Sequence, residues 1–256
     1  MSSSAKRALK ILAAVGTSGR SMGVTEIARA VGTAPGTAFR GLDALQRAGL
    51  LARHPSAPRY VLGPAALGLR QTLLSQFRIR DVCLPYLRQL ASATGETSSL
   101  HVRIGWYAAR IATSPGAGEV TSGAILRGAE RLSADFVGRA ILAHLEKSEI
   151  GRHLGWLSAN GVKSPAGLER ELAAIRGRGF AQGSHGRESG LAFPIRKLDQ
   201  AFASVAIEGS GFASKMALIP ECEEVARAIE AVVRANPALS HQPFEQIDPD
   251  VIVLPS

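Results

Sequence analysis

Thr37 and Arg40 stand three residues apart, just after Gly36, in the segment PGTAFRGLDALQRAG. A guanidinium at such a place can fork onto guanine O6 and N7 or grip a phosphate. A threonine hydroxyl reaches a phosphate, and its methyl can touch that of thymine. The glycine beside them leaves room for close approach. Further on, Arg53, His54 and Arg59 crowd the stretch LLARHPSAPRYVL, whose turn is bracketed by Pro55 and Pro58. Charges of this kind lie along a sugar-phosphate backbone, where they position a protein but carry little sequence information. Lys6 and Arg7, near the start of the chain, add two further phosphate donors. Together these residues point to double-stranded DNA as a partner.

The elements that must hold them are legible in the same stretch. Val24, Ile27, Ala28 and Val31 recur at helical spacing and predict a first helix over VTEIARAV. Thr25, near its start, can cap free backbone N–H groups. Gly32 follows where helices often end in a left-handed residue, and the turn GTA contributes Thr33 to the DNA-facing set. Pro35 suits the first turn of the next helix, where its missing N–H costs nothing. In that helix Ala38, Leu42 and Leu45 form the buried stripe, and Thr37, Arg40 and Ala44 the opposite face. Phe39 sits between the faces and is expected to pack, with the wing as one partner in reach. Leu50–Leu51 open a strand and Tyr60–Leu62 close one. Helix, tight turn, helix and basic hairpin make a winged helix-turn-helix; a small solvated hairpin is the alternative for its last part.

Charge is distributed to match. Residues 1–80 hold 12 Lys and Arg against two acids, Glu26 and Asp43, for +10, and the remaining 176 residues come to −1. A basic head on a nearly neutral body suits DNA binding better than a uniformly basic chain would. Cys83 and Cys222 are too far apart for a Cys-x-x-Cys pair, so no disulfide framework or zinc site is indicated and a reducing cytoplasm fits. No run approaches about 18 apolar residues, so no membrane span is expected. MSSSAKRALK lacks a signal-peptide core and reads as a short disordered tail before the first helix.

At this point the chain resembles the IclR-type transcriptional regulators. The resemblance runs from AKRALKILAAV through TEIA, TAFR and the wing to YVLGPAALGL, then through LPYLRQLASATGET, VGRAILAHL, ELAAIRGRGFAQG and AFPIRKLD, covering roughly residues 5 to 235. It implies an α+β fold: an N-terminal winged helix-turn-helix (1–63), a linker helix (64–80) that also helps to dimerise the heads, and a C-terminal GAF-like α/β effector-binding domain with an antiparallel sheet (81–240), followed by a tail (241–256). It also implies a homodimer or homotetramer, and a small-molecule effector that modulates operator binding. Organic or aromatic acids, their amides or hydrazides, and control of a catabolic operon are the expectation. A repressor is expected, with a ligand-sensing activator or a constitutive architectural DNA binder as alternatives.

The body's own pattern agrees in outline. A helix over 82–94 precedes strands at SSLHVRI, where Leu100, Val102 and Ile104 alternate with Ser99, His101 and Arg103, at AARIATS, and around 120–126. Helices follow at FVGRAILAHL and from Pro165 to Arg176, then strands GLAFPIRK and AFASVAIEG and a helix from Pro220 to Ala235. The order α–β–β–β–α–α–β–β–α implies a central antiparallel sheet with helices on its faces. Residues 236–256 have four prolines and read as disordered or packed on a neighbour.

No catalytic constellation stands out. There is no G-x-S-x-G, H-E-x-x-H or G-x-x-x-x-G-K, and the match Ser3–Lys6 to S-x-x-K falls in the tail. The six histidines lack metal spacing, so no metal, cofactor or enzymatic activity is expected. By the resemblance, effector contacts fall on Ala134, Asp135, Phe136, Ser184, His185, Glu188, Gly190, Ala206 and Glu208. The chain departs from the family here: Gly190 replaces a common cysteine, and Asp135 and Glu208 replace small neutral residues. A buried acid must be paired or protonated. Either these two accept hydrogen bonds from a ligand, or they pair with Arg103, Arg139 or Arg187 and shape the pocket. Phe136 either narrows the site or stacks on an aromatic ligand.

Overall fold

The computed structural model describes residues 3–117, 129–164, 167–185, 188–209, 213–241, 243–244 and 247–250. The chain divides into two compact units at Ser75/Gln76.

In the first unit, α1 (Ser3–Thr17) begins at the third residue, so Lys6 and Arg7 are helical and not in a disordered tail. The strand β1 (Met22–Gly23) leads into α2 (Val24–Ala30) and α3 (Pro35–Arg47), with Gly32 at φ 66° in the turn between them. Ile11, Val15, Ile27, Ala28, Ala38, Leu42 and Leu45 make one core from the apolar stripes of the three helices. The crossing of α1 over α3 is close: a Cβ on Gly41 would stand 2.7 Å from Ile11 Cδ1. β2 (Leu51–Arg53) and β3 (Arg59–Leu62) form the wing, and β1 completes a three-stranded antiparallel sheet in the order β1-β3-β2. The two-residue β1 is too short to show a period in sequence.

The helix expected over 64–80 is in fact two. α4 (Pro64–Ser75) ends the first unit, and α5 (Arg78–Thr94) opens the second. Phe77, at the N-cap of α5, is 2% exposed, and burying it breaks a periodicity that runs unbroken through the sequence.

The second unit is built on a six-stranded antiparallel sheet in the order β6-β5-β4-β9-β8-β7. Its strands are β4 (Thr97–Ile104), β5 (Tyr107–Ser114), β6 (Ala129–Arg131), β7 (Ala181–His185), β8 (Glu188–Lys197) and β9 (Gln200–Gly209). Between β6 and β7 run α6 (Phe136–Leu142), α7 (Lys147–Ala159) and α8 (Leu168–Arg178), and α9 (Ile219–Ala235) follows β9 after a 3-10 turn. One sheet face is covered by α5 and α9, where Ser98 Oγ donates to Leu87 O at 2.7 Å. The other carries α6, where Ser204 Oγ donates to Val137 O. α7 and β7 are absent from the sequence-based order, and the expected loop 182–189 is largely the β7–β8 hairpin. The strand expected around 120–126, Pro165 and Arg187 lie outside the described residues. The described tail returns to the body: Trp106 Nε1 donates to Asp250 at 2.6 Å, and Arg152 pairs with Asp248 and Asp250.

Candidate nucleic-acid interface and effector site

The face of α3 opposite its buried stripe is exposed, and it carries Gly36, Phe39, Arg40, Ala44 and Arg47. Asp43, half-buried, pairs with Arg47 at 2.7 Å. Arg40 projects freely on this face, with no ion-pair partner among the described residues. Thr37 and Thr33 are half-buried and Thr25 is exposed. Thr25 is not the cap of α2: that place belongs to Gly23, whose N–H donates to Glu26 Oε2 at 2.9 Å. Lys6 is exposed on α1 and Arg7 half-buried.

Two wing residues are committed otherwise than expected. Arg59 is the larger correction. Its Nε and Nη2 donate to Ser21 O and Oγ, and Nη2 reaches Glu26 Oε2 at 2.7 Å. It thus ties β3 to the start of α2 and has little freedom left for phosphate. Glu26, held by the Gly23 N–H and then by Arg20, has its carboxyl below the usual range. His54 Nδ1 accepts from Ser56 N and closes the wing turn. Arg53 remains exposed, its guanidinium 5.8 Å from the Tyr60 ring centroid.

In the second unit, β-sheet register sets which expected effector residues meet. Gly190 pairs with Glu208, and Ala192 with Ala206. In the neighbouring strand Ser99 pairs with Ala206, and His101 with Ser204. These side chains share the face that carries α6. Phe136 fills the gap between helix and sheet: a Cβ on Gly183 would stand 2.9 Å from Phe136 Cβ, and one on Gly190 2.7 Å from its Cζ. At Gly190 the Ile207 carbonyl of the paired strand excludes a side chain first and the Phe136 ring second, and at Gly183 the Phe136 side chain does so. Ala206 and Glu208 are buried with it.

The two acids have protein partners. Asp135 is the N-cap of α6 and accepts from Gly138 N at 2.9 Å. Glu208 meets Arg110 Nη2 at 2.7 Å, and the two side chains are 3% and 4% exposed. The arginines suspected from sequence are engaged elsewhere, Arg103 with Glu149 and Arg139 with Glu171. Ala134 and Ser184 are exposed, unlike the buried Phe136, Ala206 and Glu208. His185 and Glu188 pair through their backbones at the end of the β7–β8 hairpin.

Sequence reading missed Arg110, Ser99, His101 and Ser204. Ser99 Oγ and His101 Nε2 are 2.9 Å apart, and all four lie buried on the α6 face. The polar half of the alternation in SSLHVRI was the available signal. A polar face normally marks solvent, but here it lies under a helix. A cavity of about 660 Å³ sits at the other end of β8 and β9, lined by Arg103, Glu149, Arg152, Lys197 and Phe202 among others, and contains none of the expected effector residues. Cys83 and Cys222 are buried thiols whose pKa burial pushes up to about 12, which disfavours nucleophilic chemistry. Among the described residues no helix is long and apolar enough to cross a membrane, and no cluster of His, Cys, Asp and Glu could hold a metal ion.

The profile of the IclR helix-turn-helix domain matches residues 4–55, and that of the bacterial transcriptional regulator IclR C-terminal domain matches residues 71–235. The chain belongs to the IclR family. It is 29% identical over 214 residues to the HTH-type transcriptional regulator BhcR of Paracoccus denitrificans, covering 79% of this chain and 76% of that protein. It is 26% identical over 198 residues to XynR of Escherichia coli, covering 73% and 77%. The fold is shared with the Thermotoga maritima IclR structure (24% identity, TM-score 0.64, 90% of this chain and 98% of that one). It is shared too with an IclR homolog from Microbacterium hydrocarbonoxydans complexed with 4-hydroxybenzoate (21% identity, TM-score 0.71, 91% and 100%). This IclR protein is therefore a transcriptional regulator with a DNA-binding head, and not an enzyme.

Proposed function

We propose that this IclR protein is a cytoplasmic repressor that binds a partly palindromic operator as a homodimer or homotetramer and governs a catabolic operon. The observation that carries the DNA half is the exposed face of α3. Arg40 stands there unpaired among the described residues, on a helix whose other face is fixed in the core by Ala38, Leu42 and Leu45. A helix held so rigidly can enter a major groove about 12 Å wide without reorganising. Thr33, Thr37, Lys6, Arg7, Arg53 and, more weakly, Thr25 and His54 flank it as phosphate contacts.

The effector half rests on the buried polar patch beneath α6. We place the ligand at that patch, where it would displace the Phe136 ring from Gly190 and share Arg110 with Glu208, so that Arg110 anchors an organic or aromatic acid. An amide or hydrazide would instead turn its N–H donors toward Glu208. The binding relative solved with 4-hydroxybenzoate shares this fold, and makes hydroxylated aromatic acids the first class to try. Coupling of about 1–3 kcal/mol between the sites would change operator affinity roughly 5–150-fold.

The experiment is a duplex selection from a random library, followed by titration of the enriched duplex with and without aromatic acids, aliphatic acids and their amides. Weakened operator binding in the presence of one class is the expected result. Strengthened binding would make the protein an activator or co-repressor, and no response to any class would leave a constitutive DNA binder.

A further inference from the structure

Phe39 is a large aromatic side chain left 48% exposed on α3. It does not contribute to the core of the first unit, which takes Ala38, Leu42 and Leu45 from the same helix. At 3.6 residues per turn, Phe39 lies about 160° round the axis from Gly41, where α1 crosses. It shares an arc of about 100° with Gly36, Arg40, Asp43 and Arg47. Whatever it packs against on one side, about half of its surface stays open.

An apolar ring on this arc needs an apolar partner. The occupant of the arc is duplex DNA, because the unit is a helix-turn-helix and Arg40, exposed and unpaired among the described residues, lies on the same arc beside the ring. The apolar feature of the major groove is the C5 methyl group of thymine, and phenylalanine is among the side chains that contact it. Gly36, one turn before Phe39, removes the side chain that would hold the helix off the base edges. Asp43 is held by Arg47 at 2.7 Å, which keeps its carboxylate from facing the phosphates alone.

We propose that Phe39 is a specificity-determining residue that reads a thymine methyl in each operator half-site, next to the base or phosphate taken by Arg40. This rests on the DNA-binding reading above. Phe39 supplies sequence preference, and Arg40 with the wing supplies most of the electrostatic attraction.

The test uses the full-length protein and the duplex enriched by selection. Each thymine in turn is replaced by deoxyuracil, which deletes only the methyl group, and affinity is measured by fluorescence anisotropy at fixed salt. One uracil position per half-site is expected to weaken the wild type about three- to fivefold, the worth of one methyl group taken out of water. Phe39→Ala should weaken binding to the thymine duplex and be insensitive to uracil at that same position, while Phe39→Leu keeps part of the discrimination. The slope of log affinity against log salt should be unchanged in Phe39→Ala, because no phosphate contact is lost. Phe39 is exposed, so the variant should fold as the wild type does, which circular dichroism checks. Enrichment of a duplex with no methyl-sensitive position, or equal sensitivity in wild type and Phe39→Ala, overturns the inference alone. Failure of the wild type to enrich any duplex overturns the DNA-binding reading and this inference with it.

Discussion

His153 shows how much a single buried side chain can reveal about the body. It is fully buried between the rings of Trp106 and Trp156, at centroid distances of 5.2 and 6.1 Å, and neither ring nitrogen has a hydrogen-bond partner among the described residues. Burial first, then Arg103 and Arg131, lowers its pKa from 6.5 to about 4. The folded protein therefore refuses a proton that the unfolded chain accepts between those values. Stability is complete above pH 6.5 and declines as pH falls toward 4, with a slope of about 1.4 kcal/mol per pH unit from this group. His144, also lowered mainly by burial, acts in the same direction. Urea unfolding from pH 7.5 to 4.5 should show the decline, and His153→Phe should flatten it; an unchanged slope would remove His153 as the cause. The Arg110–Glu208 pair makes a second prediction. Glu208→Ala leaves a guanidinium buried without its carboxylate and should cost about 3–5 kcal/mol. Arg110→Met with Glu208→Leu should restore most of that loss, measured by the same unfolding. The identity of the acid was legible in the sequence as a departure from the family. Its partner was not, because Arg110 and Glu208 lie 98 residues apart and meet only through strand pairing.

Whole elements were legible where one period dominated. α2 and α3 each bury a single stripe, and Pro35 and Gly32 mark their limits, so the recognition segment could be read directly. α7 was missed because KSEIGRHLGWLSA carries Gly151 and Gly155 and buries only His153, Trp156 and Leu157. β7 was missed because AQGSH has no β-branched residue and no Phe, Tyr or Trp, and its place is set by pairing with β8. The wing shows the opposite error, a visible charge with a hidden duty. Arg59 looked like a phosphate contact, yet its bonds to Ser21 and Glu26 join β3 to the entry of α2. Arg59→Ala should therefore destabilise the head, by about 1–2 kcal/mol for lost charge-assisted hydrogen bonds that remain partly exposed. Its effect on the salt slope of DNA binding should be small. Arg53→Ala should do the reverse, leaving stability alone and reducing the slope by about one. Thermal unfolding and salt-dependent anisotropy on both variants separate the roles. Equal effects on the two readouts would show that the wing does not divide labour in this way.

At the scale of the whole molecule, α4 is the element without an explanation inside one chain. It runs 12 residues and buries none of them, and Leu67, Leu69 and Leu73 are 55%, 64% and 38% exposed. Isolated helices of about 12–15 residues are marginal in water, and exposed leucines add nothing to their stability. Covering α4 with the same helix of a second copy would remove that apolar surface from water. It would also hold two heads at a fixed separation. Two recognition helices on one face of a duplex require half-sites spaced by whole turns of about 10–10.5 base pairs. Oligomerisation and operator geometry thus become one prediction. Wild-type protein should sediment as a dimer or larger and bind two half-sites cooperatively. Leu69→Glu with Leu73→Glu, i and i+4 on one face of α4, should abolish that cooperativity while leaving affinity for a single half-site unchanged. Inserting five base pairs between half-sites should do the same to the wild type, because it turns the second site to the far side of the DNA, and inserting ten should recover part of the loss. If the double variant keeps cooperative binding, the heads are joined through other surfaces and α4 is only a connector.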